Sequence, residues 1–225
     1  MRHVRYILFS SSCHKLISRP QNCTIWVLKF NVARNNNSRF PYIDTLKIQE
    51  KCGSGCHFFG KGDSKDLDSL VKLLSTTKIG ALYCEFPSNP LLISPPIKKL
   101  WQLAQSNDFL LIVDETIGNF CNINVLDHCH IIVSSLTKVF SGDSNVMGGS
   151  MVLNPASLQY NRIKSAVLER YVDAVWGPDA IFLERNSRKF KQRIHIINKN
   201  AESLCDAILN HPKGLFSIFC PLTCQ

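Results

Sequence analysis

Four short apolar runs constrain this chain more than any other feature. They are Ile79–Glu85 (IGALYCE), Phe109–Asp114 (FLLIVD), His130–Ser134 (HIIVS) and Gly149–Leu153 (GSMVL). None alternates cleanly between apolar and polar positions, so each predicts a strand buried on both faces. Helical spacing separates the first two. Leu67, Leu70, Val71 and Leu74 follow the acidic start GDSKD at i, i+3, i+4, i+7. Ile97, Leu100, Trp101 and Ala104 repeat that spacing, with Ser94 the expected N-cap and Pro95 in the first turn. Beyond Asn154-Pro155 the pattern is helical, over Ala156–Val172 and Asp179–Leu209, with a break near WGPD. This alternation implies an α/β fold: a three-layer sandwich around a mostly parallel sheet.

Charge is unevenly placed. The net charge is +9, yet the first 42 residues hold no Asp or Glu and carry Arg2, Arg5, Lys15, Arg19, Lys29, Arg34 and Arg39. The basicity belongs to an N-terminal arm and not to a binding face, which argues against a nucleic-acid partner. A basic, serine-rich, acid-free arm has the composition of a mitochondrial transit peptide. The polar run NVARNNNSRF favours an irregular extension instead, and with it a cytoplasmic location. No apolar stretch reaches the ~18 residues of a membrane span.

The ten cysteines are scattered, as expected of reduced thiols in an intracellular protein. Cys52, Cys56 and His57 make one half of a metal site without a second pair, so no metal is expected. GCHFFGKG, residues 55–62, approaches a phosphate-binding P-loop but has Gly62 where Ser or Thr should ligate magnesium. The mixed run RNSRKFKQR reads as a solvated helix face.

In an open α/β sheet, ligands lie beyond the carboxyl ends of the strands. Polar residues collect at three of those ends. Glu85 runs into FPSNP, Asp114 lies in VDET, and Ser134 and Ser135 lead to Thr137 and Lys138. A carboxylate, hydroxyls and one amine in a single crevice suit pyridoxal phosphate. The lysine forms a Schiff base with the aldehyde, an Asp pairs with the ring nitrogen, and hydroxyls hold the phosphate.

At these residues the sequence resembles a known family. EFPSNP, VDET and SSLTKVFSGDSNVMGGS are similar to motifs of the pyridoxal-phosphate enzymes of cysteine and methionine metabolism, particularly the fungal cystathionine gamma-synthase-like proteins. FPYIDTLKI and GCHFFG extend the resemblance, which runs from about Phe40 to Leu209. It implies the large domain of a fold-type I pyridoxal-phosphate transferase. By the same resemblance, Lys138 carries the cofactor and moves substrate protons, and Asp114 pairs with the pyridine nitrogen. Ser135 and Thr137 bind phosphate, Asn89 lies near the phenolic oxygen, Tyr42 stacks on the ring, and Glu85 supports the site.

The resemblance also divides the chain. Residues 1–39 form an unmatched basic arm, 40–175 a partial cofactor-binding domain, and 176–225 a long helix leading into an incomplete C-terminal domain. The family's glycine turn that grips phosphate has no counterpart in the arm. The chain ends before the domain that carries the family's carboxylate-binding arginine. Three outcomes follow for function. One is gamma-replacement on an activated homoserine by cysteine. Another is C–S lysis of a related sulfur amino acid. The third is a truncated, inactive paralogue that partners a full-length relative. Substrates would be small sulfur amino acids and homoserine esters, and a complete protein would be a homo-oligomer.

Overall fold

The computed structural model describes residues 6–9, 25–28, 57–60, 63–89, 92–172 and 175–211. Among the described residues, seven strands form one sheet: β1 (Tyr6–Phe9), β2 (Ile25–Leu28), β3 (Phe58–Phe59), β4 (Ala81–Glu85), β5 (Leu110–Asp114), β6 (Ile131–Ser135) and β7 (Gly149–Leu153). Their order is β1-β7-β6-β5-β4-β2-β3. Strands β3, β2, β4, β5 and β6 are mutually parallel, whereas β7 runs against β6 and β1 against β7. The four strands expected from the apolar runs are all present. The arm expected to be irregular supplies β1 and β2 as well. Both are uniformly apolar tetrapeptides, YILF and IWVL, short enough to be lost among polar neighbours.

The described residues also form five α-helices: α1 (Ser64–Leu74), α2 (Ile97–Asn107), α3 (Tyr160–Arg170), α4 (Gly177–Ser187) and α5 (Phe190–Leu209). On one face of the sheet, Leu67 and Leu70 of α1 and Leu100 and Ala104 of α2 pack over Leu82, Cys84, Leu111, Val113 and Ile132. On the other, Ile163 and Val167 of α3 pack over Ala81, Tyr83, Ile112, Ile131 and Met151. Successive residues of one strand thus serve opposite cores, which explains the missing polar alternation. Burying each such aliphatic side chain contributes roughly 1.5–3 kcal/mol, so the double covering dominates local propensity. The result is the expected three-layer α/β sandwich.

Two boundaries differ from expectation. Helix α2 begins after Pro96, which occupies the cap position with no side-chain bond, so Ser94 is not its N-cap. Two successive prolines lack N–H donors, and the first helical bonds run from Lys99 and Leu100 back to Pro96 O. The long helix expected over 179–209 is divided at Arg188-Lys189. There the carbonyl of Asn186 accepts from Arg193 Nη2 at 2.9 Å, which turns the chain between α4 and α5. Helix α1 follows the sequence closely: Asp63 caps it by accepting from Asp66 N at 2.9 Å.

His130 enters β6 with its ring buried against Trp101, centroids 4.6 Å apart, and its Nδ1 accepts from Leu111 N at 2.9 Å. Burial lowers its pKa to about 4; Asp108 opposes the shift and Arg162 adds to it. Cys84, Cys121, Cys129 and Cys205 are free thiols. Burial raises the pKa of both Cys84 and Cys129, so neither is a ready nucleophile. Among the described residues, no helix is long and apolar enough to cross a membrane, and no three His, Cys, Asp or Glu cluster as a metal site. Cys52 and Cys56 lie outside the described residues.

Candidate active site

Strands β4, β5 and β6 lie side by side, and their carboxyl ends form one lip. The register sets Glu85 beside Asp114, and Asp114 beside Val133. Asp114 is half-buried there and faces three donors. Tyr83 Oη donates to Oδ2 at 2.8 Å, while Thr116 donates to Oδ1 through its amide at 3.0 Å and its hydroxyl at 2.6 Å. Thr116 Oγ1 in turn accepts from Ser135 N at 2.9 Å. One threonine therefore ties the end of β5 to the end of β6. Three convergent donors hold this carboxyl group in one place and one orientation.

Glu85 accepts from Asn89 N through Oε2 at 3.1 Å. It thus fastens the turn after β4, where the Phe86–Pro87 bond is cis and Ser88 is buried. Asn89 is exposed on that turn. The next acid, Glu115, points elsewhere: it is 1% exposed and accepts from Phe120 N at 3.2 Å. Burial raises its pKa to about 7, opposed by the Phe120 N–H and reinforced by Asp114.

Beyond β6 the chain makes a tight turn over Leu136–Phe140. Leu136 N and Thr137 N both donate to Gly148 O, at 2.9 and 3.3 Å, closing the turn onto the start of β7. The Thr137 hydroxyl accepts from Gly148 N at 3.0 Å and lies 3.4 Å from Gly148 O. Its first role is to hold the loop stem. Lys138 has a non-helical backbone, φ −79° and ψ −125°, within this turn, and its side chain is exposed at the lip. Ser135 is half-buried beside it. The structure therefore brings Asp114, Glu85, Ser135, Thr137 and Lys138 to neighbouring strand ends. Tyr42 lies outside the described residues.

The run RNSRKFKQR is only partly a solvated face. Arg188 is exposed and pairs with Glu184 at 2.9 Å. Asn186 and Arg193, from the same run, turn inward and grip the lysine turn. Sequence reading missed both, and it missed Tyr83 and Thr116. Only the adjacency of Thr116 to the Asp of VDET was a signal.

A carboxylate at the end of β5, with a hydroxyl at the end of β6 and an amine in the turn just beyond it, is the arrangement expected of an open-sheet, fold-type I pyridoxal-phosphate enzyme. A Campylobacter jejuni structure assigned as an O-acetylhomoserine (thiol)-lyase, containing N′-pyridoxyl-lysine-5′-monophosphate, has the same fold. Its TM-score is 0.73 at 20% identity, over 92% of this chain and 57% of that one. Residues 47–219 match the family model for the Cys/Met metabolism PLP-dependent enzymes. A cystathionine gamma-synthase of Neurospora crassa is 51% identical over 178 residues, covering 78% of this chain and 29% of that protein. A cystathionine gamma-synthase-like enzyme of Amanita muscaria is 49% identical over 76% of this chain and 29% of that protein. This chain belongs to the Cys/Met metabolism family of pyridoxal-phosphate-dependent enzymes. It spans less than a third of the length of these two fungal relatives.

Proposed function

We propose that the chain binds pyridoxal phosphate at this lip and takes part in a cystathionine gamma-synthase reaction. In that reaction cysteine replaces the γ-substituent of an activated homoserine. The observation that carries the reading is the placement of Lys138, an exposed amine one strand over from the thrice-bonded Asp114. The donor set fits the group: an amine for an aldehyde, an anion for a ring nitrogen, and a hydroxyl for a phosphate.

Bound there, the cofactor supplies an aldehyde and an electron-withdrawing ring that stabilises negative charge on substrate carbon. Asp114, fixed by Tyr83 and Thr116, would pair with the ring nitrogen. Lys138 would hold the cofactor through Nζ, and that same atom would take and return protons of the substrate. Ser135 would donate to the phosphate, and Thr137 holds the neighbouring loop stem through Gly148. Asn89, on the turn that Glu85 fastens, would serve the phenolic oxygen, and the family resemblance assigns the ring-stacking role to Tyr42. Over the whole reaction a C–S bond from cysteine to the γ-carbon would replace the C–O bond of the ester, and the acyl group would leave as a carboxylate with the thiol proton. The substrates are accordingly a homoserine ester and cysteine, and the working unit is a homo-oligomer.

The test is a visible spectrum of the purified chain with pyridoxal phosphate, before and after borohydride, with Lys138→Ala alongside. A band that reduction fixes covalently on Lys138, lost in the variant, supports the reading. An equal band in the variant overturns it. Mass detection of cystathionine from cysteine and an O-acyl homoserine then separates replacement from lysis.

A further inference from the structure

The lysine turn is fastened from outside by a single guanidinium. Arg193, in the first turn of α5, donates through Nε to Val139 O at 3.3 Å. Through Nη2 it donates to Phe140 O at 3.0 Å and to Asn186 O at 2.9 Å. A planar fork of fixed donors serves three carbonyls in one geometry, which a flexible ammonium does not. Gly142 makes room for it. Its φ is +77°, and a Cβ there would lie 2.6 Å from the guanidinium carbon. Glycine meets both demands, a left-handed backbone and a close approach.

Asn186 completes the grip. It is 5% exposed and donates to Ser141 Oγ and Asn145 Oδ1, both at 2.8 Å. Beneath the turn, Leu136, Val146 and Leu183 form a small separate core, and the Phe140 and Phe190 rings meet at 5.2 Å. The two residues after Lys138 are thus held by their carbonyls, while the lysine side chain is left exposed.

We propose that Arg193 is a positioning residue for Lys138. By fixing the carbonyls of Val139 and Phe140 it sets the direction in which the amine leaves the sheet. This rests on the reading of Lys138 as the cofactor-bearing amine and adds what holds that amine in place.

Two measurements on the full chain test it. The first is residue-resolved hydrogen exchange without cofactor, comparing Arg193→Ala with Arg188→Ala, which breaks only the exposed pair on the same hairpin. Arg193→Ala should speed exchange at Ser141 and Gly142 about tenfold or more, with unchanged circular dichroism. The second is peptide mass spectrometry after reductive labelling with pyridoxal phosphate or formaldehyde, scored at Lys138 against the exposed Lys191. The unsubstituted chain should favour Lys138 with pyridoxal phosphate and not with formaldehyde, and Arg193→Ala should cut that preference about tenfold. Unchanged exchange, or faster exchange with the preference intact, overturns the positioning role. No preference in the unsubstituted chain overturns the cofactor reading itself, and is seen before any variant is compared. Should Arg193→Ala fail to fold, Arg193→Lys replaces it, keeping the charge without the fork, and the same two outcomes decide.

Discussion

The Tyr83 hydroxyl reaches Asp114 Oδ2 across the β4–β5 pairing at 2.8 Å, a diagonal contact between strand positions two apart in register. The donor is rooted in the hydrophobic core packed against α3, and its acceptor stands at the lip. Tyr83→Phe keeps the ring and removes the hydroxyl from the carboxylate. Stability should fall by about 1 kcal/mol, and affinity for pyridoxal phosphate about tenfold, in urea melts and visible titrations.

Thr116 supports both strand ends, accepting from Ser135 N while donating to Asp114. Thr116→Val preserves shape and strips the amide of Ser135 of its acceptor. The expected loss is about 1–3 kcal/mol in the urea midpoint, largely recovered by Thr116→Ser.

Glu115 and His130 should impose opposite pH dependences. Burial raises the Glu115 pKa from 4.5 to about 7, so the folded state binds its proton more tightly, and stability falls as pH rises through that window. Burial lowers the His130 pKa from 6.5 to about 4, so the unfolded state binds its proton more tightly, and stability falls as pH drops through that window. Where the windows overlap, the two slopes cancel, and the native chain should show a plateau. Glu115→Gln should expose the histidine slope and stabilise the chain at pH 8 by about 1–3 kcal/mol. His130→Asn should expose the glutamate slope. Urea midpoints across pH check both signs.

Lys138 is exposed at the turn. Lys138→Ala should therefore shift stability by no more than about 0.5 kcal/mol while abolishing covalent trapping of pyridoxal phosphate. Parallel melting and borohydride experiments separate the two effects.

The central strands were legible because each is an apolar run bounded by polar residues, and each begins within a residue or two of expectation. The placement of Asp114, Ser135 and Lys138 at the sheet's lip was legible for the same reason: a polar group at or just past the end of a buried run stands out. Tyr83 did not stand out, because the partner of a strand hydroxyl depends on the register with the next strand. Arg193 and Asn186 were hidden in a run of charge and amide. Nothing in RNSRKFKQR distinguishes the residues facing water from those facing a turn more than forty positions earlier. Helix boundaries failed where local bonds are replaced by distant ones, as at the carbonyl of Asn186.

Because β7 runs against β6, Gly149 returns to the side of Ser135, and the chain between them leaves and re-enters the sheet at one point. Lys138 thus stands on the rising arm of a closed ring, near its fastened base, while Gly142, Asp143 and Ser144 form the exposed far side. Doubling the length of such a ring costs only about 0.6 kcal/mol of closure entropy. Residues inserted around Asp143 and Ser144 should therefore reshape what approaches the amine without moving the amine itself.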